Sequence, residues 1–217
     1  MLKIRTVYEK RDRAKYISHL DLNRCMQRTI RRAGLPIWYS EGFNPRMYLM
    51  FPLALSLGFE SVCEVMDFNL EEPVPFGELK DRLNAVLPEG LRILHAAEPV
   101  KKHTEIGFAD YLLELDAQPG FSGGWDRFLA RDAILTERTN KRGQLVQTDI
   151  RPQIQSLSCR QEGERVQLEL RLPAGTQTNL NPTAVLDAMA GLEPETAFSL
   201  DRVLRKKIIC TDGTDFF

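Results

Sequence analysis

Four arginines, Arg24, Arg28, Arg31 and Arg32, recur at i, i+4, i+7 and i+8. On a helix that spacing lines them along one flank. A row of guanidiniums is suited to bidentate contacts with successive phosphates, which lysine makes less well. Close behind come Trp38, Tyr39, Phe43, Asn44, Arg46 and Tyr48, aromatics interleaved with a base and an amide. Single-stranded RNA is bound by this mixture, its bases stacking on rings while its phosphates meet arginine. The plainer alternative is a solvated arginine face beside aromatic residues that belong to the core. His19 stands just before the row, between Ser18 and Leu20, with Tyr16 and Asp21 nearby. A histidine near neutrality could take the proton from a ribose 2′-hydroxyl and cleave RNA without a metal. It could equally hydrogen-bond to backbone or to Asp21 at a helix start. His95 and His103 have no nameable partner.

Charge along the chain points the same way. The overall net charge is −1, but residues 1–50 carry eleven Lys and Arg against four acids, a net of +7. Residues 51–120 carry five bases against thirteen acids, a net of −8, and the remainder sums to zero. Such asymmetry suits an anionic partner, or two solvated surfaces of opposite sign. Glu60, Glu64 and Asp67 read as the polar face of a strand rather than as an acid/base pair. The four cysteines lie far apart with no CxxC pair, so neither a zinc ribbon nor a local iron–sulfur motif is expected, and no metal or cofactor is inferred. Cys25 and Cys63 lie in apolar patterns and read as small buried hydrophobes. Nucleotide-loop, serine-hydrolase and zinc-protease motifs are absent. No apolar run approaches the roughly 20 residues of a membrane span, and Met1–Val7 has no signal-peptide core. A cytoplasmic protein without a membrane partner is expected.

These residues need elements to hold them. Residues 2–8 alternate as a strand, which Ala14–Ile17 extends after a charged turn. Ser18 and Asp21 make a helix-start signal. Leu22, Cys25, Met26, Ile30 and Ala33 then recur at helical spacing up to Gly34, which predicts a helix over 20–33. Met47–Leu57 and Val62–Leu70 read as strands, the first demoted by Pro52 to an edge or bulge. A helix over Pro75–Leu87 and a strand over Leu91–Ala96 complete the order β-α-β-β-α-β, the ferredoxin-like arrangement. Residues 97–107 are polar and read as a linker. The order then repeats: a strand at Tyr111–Leu115, a helix at Trp125–Ile134, and a strand at Leu145–Ser158 interrupted at Pro152. Next come a strand at Val166–Leu172, a helix at Thr183–Gly191 capped by Asn181 with Pro182 in its first turn, and a strand at Phe198–Cys210. The expectation is an α+β protein of tandem ferredoxin-like modules, 1–97 with the basic helix and 108–217. Two turn signatures stand out in the second module. Asp149 and Arg151 read as sharing a strand face, and the polar loop Leu172–Pro182 feeds a helix N-terminus open to a phosphate; loop closure and helix capping are the simpler explanation of both.

The runs Tyr16-Ile17-Ser18-His19-Leu20-Asp21-Leu22, Arg31-Arg32-Ala33-Gly34-Leu35-Pro36 and Tyr39-Ser40-Glu41-Gly42-Phe43-Asn44-Pro45-Arg46, with Ala54–Ser61 and Asp149-Ile150-Arg151-Pro152, resemble the radical SAM-linked protein family. That bacterial domain occurs beside or fused behind a B12-binding-type radical SAM protein. Arg46-Met47-Tyr48 departs from the His-Pro-Lys-type run of the family, and the C-x-x-x-C-x-x-C cluster motif does not occur in this sequence. The resemblance implies that radical chemistry belongs to a separate protein and that this chain is its recognition partner in tRNA or rRNA modification or processing. RNA-contacting residues are then His19, Arg24, Arg28, Arg31, Arg32, Tyr39, Phe43, Asn44, Arg46, Tyr48 and Arg151. Two other functions remain open: an adaptor of the radical SAM enzyme without RNA contact, docking through the acidic stretch 60–72, and a metal-free endoribonuclease using His19.

Overall fold

A computed structural model describes residues 1–139, 143–175 and 178–217. Of the polar loop before the last helix, Thr176 and Gln177 lie outside the described residues. The chain divides into two compact units, Met1–Glu105 with Phe216–Phe217, and Ile106–Asp215.

In the first unit, β1 (Leu2–Lys10) leads through a 3₁₀ turn (Asp12–Tyr16) to α1 (His19–Arg32). Then follow β2 (Leu49–Met50), β3 (Glu60–Leu70), α2 (Phe76–Asn84) and β4 (Leu91–Ala97). β4 pairs with β1, β1 with β3 and β3 with β2, each antiparallel. This fourth–first–third–second order is the ferredoxin-like sheet. One face of it packs on the helices, with Ile4, Tyr8, Met66, Phe68 and Ile93 against Leu22, Met26, Ile30, Leu79 and Leu83. Strand alternation sends the intervening residues to the other face. There Arg5 meets Asp67, its partner in register, through two hydrogen bonds: Nε donates to Oδ1 at 2.8 Å and Nη2 to Oδ2 at 2.7 Å. Both residues are buried.

The second unit repeats the topology. It comprises β5 (Ile106–Ala117), α3 (Phe121–Leu129), a β6–β7 hairpin (Leu135–Thr139, Leu145–Asp149), β8 (Gln155–Glu162), β9 (Arg165–Pro173), α4 (Pro182–Leu192) and β10 (Phe198–Cys210). Its sheet runs β10-β5-β9-β8, which is again fourth–first–third–second, with the β6–β7 hairpin inserted before the second strand. The protein is therefore α+β with tandem ferredoxin-like modules. The central pair again carries an arginine–aspartate fork with the roles exchanged: Arg171 on β9 donates to Asp110 on β5 at 2.7 and 2.9 Å.

Several local expectations are corrected. Ala14–Ile17 does not extend β1. The Lys10 ammonium is buried, donates to the carbonyl of Ile17 at 2.9 Å, and draws the chain into a 3₁₀ turn beneath it. Burial pushes the Lys10 pKa down, and the nearby Glu64 charge opposes this. The strand over Met47–Leu57 shrinks to two residues, because Pro52 has no amide proton for a ladder. Glu60, Glu64 and Asp67 are not a solvated face but are buried; of the acids in the stretch 60–72, Glu71 and Glu72 are exposed. Cys25 is only half-buried, whereas Cys63 is buried as expected. α3 spans Phe121–Leu129 rather than Trp125–Ile134. Its Gly123-Gly124 pair discourages a helix reading, yet a Cβ at Gly124 would strike Thr196. The interrupted strand is two strands, separated by a 3₁₀ turn at Arg151–Gln153.

Two outcomes follow from the buried charges. Asp67→Ala strands the Arg5 guanidinium away from water and is expected to cost about 3–5 kcal/mol in urea unfolding, while the double change Arg5→Met with Asp67→Leu costs far less. In the second unit Glu193, just past α4, accepts from Arg131 at 2.7 Å and from Arg127 at 3.1 Å, joining α3 to α4. The Arg131 hydrogen bond, followed by that of Arg127, holds its carboxyl below the usual range, and burial opposes them. Its folded pKa is depressed, so its stabilisation is complete above the ordinary value of 4.5 and is lost as pH falls below it. Thermal melts of Glu193→Gln are therefore expected to lie below wild type at neutral pH and to converge with it as pH drops below that value.

Candidate nucleic-acid interface

α1 is set by caps at both ends. Ser18 Oγ accepts the amide of Asp21 at 3.2 Å and donates to its Oδ2 at 2.8 Å. At the other end Gly34 adopts a left-handed φ of +63°, the usual glycine device for leaving a helix. Arg82 of α2 donates its Nε to the carbonyl of Ala33 at 2.9 Å and its Nη2 to that of Gly34. With Leu22, Met26, Thr29 and Ile30 buried, the opposite flank is left to Arg24, Arg28, Arg31 and Arg32, all exposed. The row spans about 12 Å along the axis at 1.5 Å per residue. Arg24 leans on Asp21 at 3.2 Å. Arg28 and Arg32 have no carboxylate partner among the described residues.

The loop after α1 returns on itself. Tyr39 pairs with Met47, the amide of Ser40 donates to the Arg46 carbonyl at 2.9 Å, and the amide of Arg46 donates to Ser40 Oγ at 3.0 Å. Between them Phe43 projects with its ring fully exposed, and Asn44 and Arg46 are exposed beside it. The loop touches the helix where Arg31 Nε donates a long 3.4 Å hydrogen bond to the Tyr39 hydroxyl. The arginine row, Tyr39, Phe43, Asn44 and Arg46 thus belong to one part of the first unit.

Three predicted site residues behave differently. Alternation splits the aromatics: Tyr39, Met47, Leu49 and Phe51 pack on the helix-side core, while Trp38, Tyr48 and Met50 line a recess of about 620 Å³. Tyr48 is therefore on the other side of the loop from Tyr39. His19 is exposed and sets its ring edge-on to Phe51 at 5.3 Å, while Asp21 is engaged by Ser18 and Arg24. Its neighbour is therefore a ring rather than an acid. Arg151 lies in the second unit, where its Nε donates to the Leu129 carbonyl at 2.6 Å, closing the end of α3. It does not share a strand face with Asp149, whose Oδ1 accepts the amides of Ile134 and Arg151.

The recess also takes in Lys3, Asn69 and Lys102, which the sequence reading passed over. Lys3 alternating with Arg5 was the available sign that β1 carries a charged face, and Asn69 between Phe68 and Leu70 was the sign of a polar demand there. No group of three or more His, Cys, Asp or Glu among the described residues is placed to hold a metal, and no helix is long and apolar enough to cross a membrane.

A tandem ferredoxin-like α+β protein with an arginine-lined helix on its first unit is the class that fold and surface define. More particularly, the chain belongs to the family described as an uncharacterized protein conserved in bacteria (DUF2344), whose model matches residues 3–182. No curated protein matches it. Among solved structures it is similar to a chain of a Cbf5-Nop10-Gar1 complex, at 10% identity and a TM-score of 0.48 over 94% of this chain. It spans 48% of that chain's length. It is also similar to an unknown protein from Galdieria sulphuraria, at 13% identity and a TM-score of 0.26 over 92% of this chain and 97% of that one. A CRISPR-associated protein from Thermus thermophilus matches at 17% identity and a TM-score of 0.24, over 93% and 100%.

Because the arginines are aimed by α1, its cap is expected to matter to them. Ser18→Ala should destabilise the first unit by about 1 kcal/mol (range 0.5–2) in chemical unfolding, with exchange of the first-turn amides of α1 accelerated.

Proposed function

We propose that this chain is a non-enzymatic RNA-binding protein that serves a B12-binding-type radical SAM enzyme in the modification or processing of tRNA or rRNA. The observation that carries the RNA reading is the pair of uncompensated guanidiniums, Arg28 and Arg32, on one flank of α1 beside a loop that exposes Phe43, Asn44 and Arg46. Cations without internal partners are free to neutralise phosphates, and a fully exposed ring loses nothing by accepting a base. The radical SAM partner is supported by the motif resemblance in the block from Tyr16 to Pro45. Of the acids in the stretch 60–72 that an adaptor would present, Glu60, Glu64 and Asp67 are buried and Glu71 and Glu72 remain exposed, which leaves little acidic surface for a purely protein contact. Exposed His19, edge-on to Phe51, suits a contact to the RNA backbone rather than a general base, since it has no hydrogen-bonded carboxylate among the described residues to orient it.

The test is binding of single-stranded RNA across a salt series, with wild type beside the triple change Arg24→Glu, Arg28→Glu, Arg31→Glu. Wild type is expected to bind with an affinity that falls steeply as salt rises. Loss of three phosphate contacts should flatten the slope of log K against log salt by about 2. Equal slopes in the two proteins would make the arginine row a solvated face and end the RNA reading.

A further inference from the structure

We propose that the recess beside Trp38 is a binding site for a nucleoside 5′-phosphate unit, and that this is where an unpaired nucleotide of the RNA is held. The inference rests on the RNA reading above for the source of the nucleotide, but its residues are different ones and it is tested separately.

The recess encloses about 620 Å³, inside the roughly 300–1,000 Å³ of small-molecule sites. Its floor is the Arg5–Asp67 fork. Arg5 spends a third donor, Nη1, on the Lys101 carbonyl at 2.9 Å, and its guanidinium lies 4.4 Å from the Phe216 ring centre. The floor is thus charge-compensated, and it ties the segment around residue 101 to β1, giving the recess its second wall. The first wall is Trp38, Tyr48 and Met50. Trp38 is fixed by backbone, its amide donating to the Asn69 carbonyl at 3.0 Å.

Asn69 is the most telling group. It pairs in register with Lys3 and so lies on the recess face of β3, the face of Arg5 and Asp67. It is only 6% exposed, its side-chain amide makes no hydrogen bond to another described residue, and its polar atoms are not among those sealed from solvent, so the amide opens onto the recess it lines. An amide that opens onto a recess with its donor and acceptor unspent on the protein can receive a ligand with the complementary pair. A nucleobase edge has that pair; adenine offers N6–H as donor and N7 as acceptor. Above it, the ammonium groups of Lys3 and Lys102 have no carboxylate partner among the described residues. A flat aromatic wall, an amide at the floor and two free cations at the rim together describe a ligand that is planar at one end and anionic at the other. An acidic peptide would satisfy the lysines but leave the indole and the amide unused, and a sugar would leave the lysines idle.

Tryptophan fluorescence reads the site directly. The only other tryptophan, Trp125, is 1% exposed and belongs to the second unit, so quenching by a soluble ligand reports Trp38. The purified full chain is titrated with 5′-AMP, with the other three nucleoside monophosphates, with inorganic phosphate, and with a short single-stranded oligoadenylate. Saturable quenching by a nucleotide but not by phosphate is expected, weakened at least tenfold in Asn69→Ala and again in Lys102→Glu. The second variant alters an exposed side chain and keeps the test sound if the first perturbs folding. Tighter binding of the oligonucleotide than of AMP would place the nucleotide in RNA, whereas equal affinity would make the ligand a free nucleotide; both uphold the site. Quenching by no nucleotide, or quenching unchanged in both variants, would overturn it. The first unit's reading as an RNA surface would survive that result if the arginine salt slope persisted, and would fail alone if AMP bound while that slope vanished.

Discussion

An arginine taken out of water must find a carboxylate that matches its fork, and in the first unit Arg5 finds Asp67 directly across the β1–β3 pair. Much else depends on that contact. A slip of one residue between the strands would break both hydrogen bonds and turn Ile4 and Phe68 away from the helices. The fork therefore enforces the same register that the apolar core prefers. It also reaches beyond the sheet, since the remaining Arg5 donor holds Lys101 and with it the chain leaving β4. The second unit solves the same problem at its own central pair with the residues exchanged, aspartate on the first strand and arginine on the third. Topology is what the two halves share; the side chains that lock it are placed the other way round.

The distribution of charge follows from this burial. Glu60, Glu64 and Asp67 of β3 do not face solvent, whereas later acids such as Glu71, Glu72, Glu78 and Asp81 do. Asp67 goes to Arg5, Glu60 lies 3.8 Å from Lys15, and Glu64 sits where its charge offsets the burial of Lys10. The cations neutralised are thus those of β1 and the turn after it. The arginines of α1 are left over, since that helix faces the sheet with its apolar flank and no β3 carboxylate can reach the other side. A chain of net charge −1 can in this way carry a strongly basic helix, and total charge is a poor guide to what its surface binds.

Periodic, self-contained signals were readable in the sequence. The 3.6-residue spacing of Leu22, Met26 and Ile30 with Ser18 ahead and Gly34 behind defined α1, and the alternation through Val166–Leu172 marked β9. Readings failed where a distant partner decided the local structure. Lys10 draws its own carbonyl ligands into a turn, Gly124 lies in a helix because Thr196 presses against it, and the β3 carboxylates are buried because Arg5, Lys10 and Lys15 meet them from another strand and a turn. Thr196 and the cations that meet the β3 carboxylates lie outside any window that periodicity can scan, and the seven-residue reach from Lys10 to Ile17 is made by a buried ammonium that apolar patterning does not register. The arginine row was readable for the same reason as α1. Asn69 and Lys3 were not, because a recess is made by strands that are distant in sequence.

The loop from Trp38 to Phe51 shows how strand alternation partitions a surface. One parity of its residues packs on the helix side, where Tyr39 meets Arg31; the other parity, Trp38, Tyr48 and Met50, walls the recess. The arginine row and the recess proposed to take a base therefore lie on opposite sides of one narrow loop, on which Phe43 is fully exposed. A duplex keeps its bases paired inside and its phosphates outside, so it could engage the arginines while leaving the recess empty. A single strand can pass over the loop, lay its backbone along α1 and turn one base into the recess. A ligand that uses both surfaces must therefore be single-stranded, or carry a nucleotide already turned out of its stack.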